Sequence, residues 1–278
     1  MKFTKMQGIG NDYVYVNCFE EQIKDRSELA IKVSNRNFGI GSDGLICICP
    51  SQVADFKMDM YNADGSQGAM CGNGIRCVGK YVYDRGLTDQ TVLRVETLSG
   101  IKTLWLTVED GKVKTVRVDM GSPSFDPADI PVVTEGKDFV RRKVEVAGKL
   151  WEMTALSVGN PHAVIFLDED VDLLDLEQIG PLFEHLSIFP ERVNTEFINV
   201  LPDGTLKMRV WERGSGETLA CGTGATATTA AAVLCGYCKD RADILLRGGQ
   251  LRVEWDRAEN KLYLTGPAEI VFDGELYL

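Results

Sequence analysis

Cys71 and Cys221 stand in matched frames, Cys71-Gly72-Asn73-Gly74 and Cys221-Gly222-Thr223-Gly224, 150 residues apart. The register holds around them without a gap: Tyr61 falls on Trp211, Asn62 on Glu212 and Gly86 on Gly236. Near the chain start a shift of 149 residues places Gly10-Asn11 on Gly159-Asn160. Side-chain identity between the halves is low, so the repeat is architectural, two copies of one unit rather than a short-period solenoid. Each frame predicts a cysteine at a helix start. A thiol there meets the positive end of the macrodipole and N–H groups without intrahelical acceptors, which favour thiolate and lower the cysteine pKa. The glycines let a substrate approach the backbone, and helix-start N–H groups bind carboxylate. Two such half-sites, face to face, hold one carboxylate with a thiol on either side of the neighbouring carbon. That suits removal of the weakly acidic α-proton of an amino acid and its return to the opposite face, with one thiolate abstracting and one thiol donating. The competing readings are two ordinary buried cysteines and a disulfide between them, the latter disfavoured in the reducing compartment that the composition suggests.

The elements that must position these groups follow from pattern. Residues 1–17 alternate around Gly8-Ile9-Gly10-Asn11-Asp12, predicting strand, tight turn, strand. Ser27 to Asn35 reads as a helix with Leu29, Ala30 and Val33 inward. Gly39-Ile40-Gly41-Ser42-Asp43-Gly44 matches GxGxxG but follows a helix and opens a strand, the reverse of the dinucleotide fingerprint. The helix from Cys71 shows Ile75, Val78 and Val82 on one face and Gly86 as its C′ residue, and Asp110-Gly111 is a hairpin turn. Met120-Gly121-Ser122-Pro123-Ser124 marks the crossing into the second half, and Pro202-Asp203-Gly204 is another hairpin. Residues 221–235 are small-sided and uncharged, a helix buried nearly all round. The eight cysteines raise the question of metal. Cys47 and Cys49 are expected on opposite faces of a strand, Cys235-Gly236-Tyr237-Cys238 falls at a helix end, and only His162 and His185 are available as imidazoles, so no metal is expected.

A chain of 278 residues accommodates two domains, and 44% hydrophobic with 26% charged residues describes a globular protein. The net charge of −11 argues against a nucleic-acid partner. No signal-peptide core follows Met1, and no apolar run reaches membrane length, so a cytoplasmic location without membrane contact is expected.

The motifs together resemble those of diaminopimelate epimerases, cofactor-independent two-cysteine amino acid epimerases. They run from Met6-Gln7-Gly8 through Asn11-Asp12, Asn35-Arg36 through Asp43-Gly44 and Tyr61-Asn62-Ala63-Asp64-Gly65-Ser66 to Cys71-Gly72-Asn73-Gly74-Ile75-Arg76-Cys77. They continue at Gly159-Asn160-Pro161-His162, Asn194-Thr195-Glu196-Phe197 and Trp211-Glu212-Arg213-Gly214 through Cys221-Gly222-Thr223-Gly224. The resemblance implies an α/β (α+β) fold of two pseudo-symmetric domains, each a curled, mainly antiparallel sheet around a central helix. It places the first over residues 1–120, completed by 267–278 with Asp273-Gly274 as a turn, and the second over 121–266, with the active site in the cleft between them. It makes Cys71 and Cys221 the acid–base pair and His162 and Glu212 the groups that tune them. Gly72, Asn73, Gly222 and Thr223 then supply N–H groups to the α-carboxylate, and Arg213 binds a distal carboxylate as a planar fork. Asn11 is a substrate-contacting amide, and Asn62, Asn160 and Asn194 surround the distal end. Some relatives carry a glutamine where this chain has Gly44. No motif implies a cofactor, the substrate is the small molecule diaminopimelate, and the assembly is a homodimer. The rival readings are a proline racemase or hydroxyproline epimerase, which has no use for Arg213; a phenazine-pathway isomerase; a non-catalytic amino acid binding protein; and a thiol redox protein using Cys235 and Cys238.

Overall fold

The computed structural model describes residues 1–277. The chain forms two compact units, Met1–Asp119 together with the segment from Thr265 onward, and Met120–Leu264. The first contains β1 (Lys2–Gly8), β2 (Asn11–Asn17), α1 (Arg26–Ser34), β3 (Gly44–Cys49), β4 (Phe56–Asn62), β5 (Gln67–Gly68) and α2 (Gly72–Asp84). It continues with β6 (Val92–Thr97), β7 (Gly100–Glu109) and β8 (Lys112–Gly121), whose last two residues belong to the second unit. The second contains β9 (Arg142–Val146), β10 (Lys149–Ser157), β11 (Pro161–Phe166), α3 (Leu176–Glu184), β12 (Asn194–Val200), β13 (Leu206–Glu212) and β14 (Gly216–Glu217). After these come α4 (Gly222–Cys235), β15 (Arg241–Leu246), β16 (Gly249–Asp256) and β17 (Lys261–Pro267), and β18 (Glu269–Glu275) rejoins the first unit. The repeat appears in the fold: α3, β12, β13 and α4 begin 150 residues after α1, β3, β4 and α2.

Each unit is a mainly antiparallel sheet with two parallel joints. In the first these are β2–β3 and β4–β6, bridged by α1 and α2. In the second they are β11–β12 and β13–β15, bridged by α3 and α4. A parallel pair needs a crossover, and these helices supply it. Both crossover helices that begin at cysteine are core elements: α2 is buried from Gly72 to Val82, and α4 at Gly222 and from Gly224 to Val233. Two of the α4 hydroxyls are satisfied within the helix, Thr226 donating to Gly222 O at 2.8 Å and Thr229 to Ala225 O at 3.2 Å.

Two expectations need correction. Asp273-Gly274 is not a turn but lies inside β18, paired with Thr4 and Phe3 of β1. The Phe3 ring occupies the space where a Cβ at position 274 would sit, 2.4 Å away, so this glycine serves packing rather than reversal. Cys47 and Cys49 do not face opposite ways. Side chains two apart on a strand share a face, and both pack with Val14, Leu45 and Cys18 in one core cluster. Hydrogen bonding to Cys47, with burial adding, pushes the Cys18 thiol up to about 12, which leaves it unreactive.

Candidate active site

Each helix start is capped by its cysteine. Cys71 has extended backbone at the N-cap of α2 and its Sγ accepts the Gly74 N–H at 3.3 Å; Cys221 does the same for Gly224 at 3.3 Å on α4. Glycine follows for a steric reason. A Cβ at Gly74 would lie 2.6 Å from Ile46 Cδ1, and one at Gly224 would lie 2.7 Å from Glu196 Oε1.

In the first unit the Cys71 thiol donates to Asn11 Oδ1 at 3.3 Å, and Asn11 Nδ2 donates to Asp43 Oδ2 at 2.8 Å. Asp43 is held in turn by the Asp12 N–H at 3.0 Å, and Arg36 bridges Asp12 and Asp43 at 3.0 Å each, while Lys5 pairs with Asp12. Burial raises Asp12, but hydrogen bonds from Lys5 and Arg36 outweigh it and hold the carboxyl below its usual range. The buried Tyr13 phenol is pushed well up by burial, with Cys71 and Asp43 adding to it. Beneath the helix start lies Arg76, wholly buried: Nη1 donates to Gly72 O at 3.0 Å and to Asn73 Oδ1 at 2.9 Å, and Nε to Pro267 O at 3.1 Å. Asn62 is further along, its amide donating to Ser66 Oγ at 2.9 Å within the turn after β4.

In the second unit a chain of polar groups leads to Cys221. His162 Nδ1 faces Glu196 Oε1 at 2.7 Å and Nε2 faces Asn160 Oδ1 at 3.0 Å. Asn160 Nδ2 donates to Thr223 Oγ1 at 3.4 Å, and that hydroxyl lies 3.5 Å from Cys221 Sγ. Glu212 accepts from Thr218 and also faces the thiol. Burial raises the Glu212 carboxyl above its usual range against the pull of Thr218, Cys221 and His162.

The expected depression of the cysteine pKa does not hold at Cys221. Burial, then Glu212 and Glu196, push this thiol well above its ordinary value, against Thr223 and Gly224. The magnitudes explain the outcome: a helix terminus contributes up to about 2 kcal/mol, whereas full burial shifts a group by as much as about 3–5 pKa units, roughly 4–7 kcal/mol.

The family profile for diaminopimelate epimerase matches residues 3–125 and 154–271. Over its whole length the chain is 58% identical to the diaminopimelate epimerase of Acetivibrio thermocellus, covering 99% of that protein. It is 55% identical to that of Desulfovibrio desulfuricans, covering 100% of this chain and 99% of the relative. The chain belongs to the diaminopimelate epimerase family. Among solved structures, the fold is shared with a PhzF-family phenazine biosynthesis protein from Bacillus anthracis (TM-score 0.73, 16% identity, 100% and 99% of the two chains covered). It is shared too with a hydroxyproline epimerase from Agrobacterium vitis (TM-score 0.70, 16% identity, 99% and 90% covered).

Position 44 is glycine in this chain. A Cβ at position 44 would meet Tyr61 O at 2.2 Å and the Tyr13 ring at 2.7 Å, so the strand pairing here leaves no room for a side chain. The turn between β13 and β14 presents Arg213, with Nη1 donating to Glu191 O at 2.9 Å. Asn194 braces this turn, accepting the Arg213 N–H at 2.8 Å and donating to Pro161 O at 3.0 Å. Glu184, at the end of α3, braces it again, accepting Gly214 N–H at 2.9 Å, Trp211 Nε1 at 2.8 Å and Arg192 Nη1 at 3.1 Å. Sequence reasoning assigned no role to Asp43, Arg76, Glu184 or Glu196. Asp43, Arg76 and Glu196 lie inside the motifs that carry the resemblance; Glu184 had no local signal.

Proposed function

We propose that the protein interconverts LL-2,6-diaminopimelate and meso-2,6-diaminopimelate by two-base proton transfer at one α-carbon, in lysine biosynthesis. The observation that carries this reading is the pair of cysteine-capped, glycine-opened helices repeated at an offset of 150 residues in a chain of this family. One cysteine, as thiolate, takes the α-proton while the other, as thiol, delivers its proton to the opposite face. The C–H electron pair moves into the α-carboxylate, the helix-start N–H groups of Gly72, Asn73, Gly222 and Thr223 hold the developing charge, and the two cysteines end with exchanged protonation. Cys221, buried beside Glu212 and Glu196, is the resting acid. Asn11 orients the Cys71 side, His162 and Glu212 tune Cys221, and the fork of Arg213 takes the distal carboxylate with Asn62, Asn160 and Asn194 around the distal end. The reaction requires that the two cysteines address opposite faces of one carbon. No helix among the described residues is long and apolar enough to cross a membrane; we place the enzyme in the cytoplasm as a homodimer, a state that light scattering checks.

The test is proton NMR of LL-diaminopimelate with reduced enzyme in D₂O, with L-proline and L-hydroxyproline in parallel. Loss of the diaminopimelate α-proton signal as the meso isomer appears is expected. Exchange confined to proline or hydroxyproline moves the assignment to the rival substrate. Cys71→Ala and Cys221→Ala each abolish turnover while circular dichroism stays native; full turnover in either variant sinks the two-base mechanism.

A further inference from the structure

Glu196 is an expensive residue to bury. Its side chain and that of His162 have no exposure, and Glu196 Oε2 has no hydrogen-bond partner among the described residues. The position does not demand a carboxylate for packing. Its repeat counterpart, 150 residues earlier, is Ile46, which fills the same space against Gly74 that Glu196 fills against Gly224. Replacing a buried charge by an apolar residue of similar size is often neutral or stabilising. The carboxylate therefore serves something other than the frame.

What it touches indicates what it serves. Both ring nitrogens of His162 are engaged, Nδ1 with Glu196 Oε1 at 2.7 Å and Nε2 with Asn160 Oδ1 at 3.0 Å. Two contacts on opposite sides of the ring fix its plane and its flip. Asn160 reaches on to Thr223 Oγ1 at 3.4 Å, and that hydroxyl lies 3.5 Å from Cys221 Sγ. We propose that Glu196 is a positioning residue for the Cys221 half-site: its carboxyl locks the His162 ring, and through it the chain His162–Asn160–Thr223, against the Cys221 sulfur. A chain fixed in advance needs no reorganisation when Cys221 gives up its proton and charge arises on its sulfur. The role rests on the reading of Cys221 as one of the two acid–base residues.

The test begins with the wild-type enzyme. Nitrogen NMR of the two imidazoles, with His162 assigned through His185→Gln, is expected to show one sharp set of His162 ring signals. In Glu196→Ile those signals are expected to move or broaden, and kcat to fall about tenfold or more with KM little changed. Unmoved His162 signals overturn the proposal. Glu196→Ile, which borrows the first unit's residue, is expected to keep its thermal stability. Wild-type kcat in a folded Glu196→Ile also overturns the proposal. Failure of the underlying function is distinguishable: it appears as absent α-proton exchange in the wild type, whatever the His162 ring signals show.

Discussion

Glu212 and Cys221 face one another in the second unit: the carboxylate makes the thiolate harder to form, while the hydrogen bond from the thiol favours the carboxylate. The consequence is measurable through pH. A donor must be protonated, so activity is lost at high pH as Cys221 ionises. Glu212→Gln removes a neighbouring negative charge and makes that ionisation easier. The alkaline limb of the kcat/KM profile is therefore expected to move to lower pH; an unmoved limb would show that Glu212 does not set the acidity of the thiol. At Arg213 the expectation concerns binding. Loss of a bidentate charged contact costs about 1.5–3 kcal/mol, so Arg213→Ala should raise KM for diaminopimelate about ten- to hundredfold. An unchanged KM removes its assigned role. The two thiols were legible because each announces itself locally, a cysteine with glycines at a fixed offset. Glu196 was not, because its meaning comes from a partner 34 residues away, brought opposite by the parallel pairing of β11 and β12. Nor did the helix-terminus argument reveal the acidity of Cys221, since burial is a tertiary quantity.

At the scale of elements, α3 acts as a buttress for the turn that carries Arg213. Gly180 lets the helix lie against Trp211, whose ring would be 2.2 Å from a Cβ there. Gly180→Ala is expected to destabilise by about 1–3 kcal/mol through overpacking, read as a fall in the midpoint of thermal unfolding. Glu184 is raised by burial, but Trp211, the Gly214 N–H and Arg192 more than compensate and hold it below the usual glutamate range. A carboxyl depressed in the folded state contributes stability that is complete above its unfolded pKa and lost as pH falls through the folded one. Acid unfolding of Glu184→Gln should thus show a shallower loss below the ordinary glutamate range than wild type; identical acid curves would argue against the brace. Helices α1, α2 and α4 were legible from periodicity, capping residues and composition. The β18 strand was mistaken at Asp273-Gly274 because a glycine that admits an aromatic ring looks in sequence like one that turns the chain.

At the scale of the whole molecule, one frame is built twice and charged differently. The first unit puts Arg76 under its helix start where the second has Thr226, and Ile46 where the second has Glu196. The offset was legible because duplication preserves spacing longer than side chains; the charge difference became interpretable only once burial was known.

The first unit is also discontinuous in sequence, and this bears on how the protein is made. Thr4 of β1 bonds Asp273 of β18 across 269 residues. During synthesis β1 leaves the ribosome early and waits with one edge bare, while every strand of the second unit except the end of β17 is translated before its seal arrives. An unpaired edge invites wrong partners. A chain stopped after Leu264 is expected to show amide protection in β11–β13 but little in β1, and to need a holdase to stay monomeric. Native protection of β1 in that truncated chain would mean that the early strand finds shelter before its partner exists.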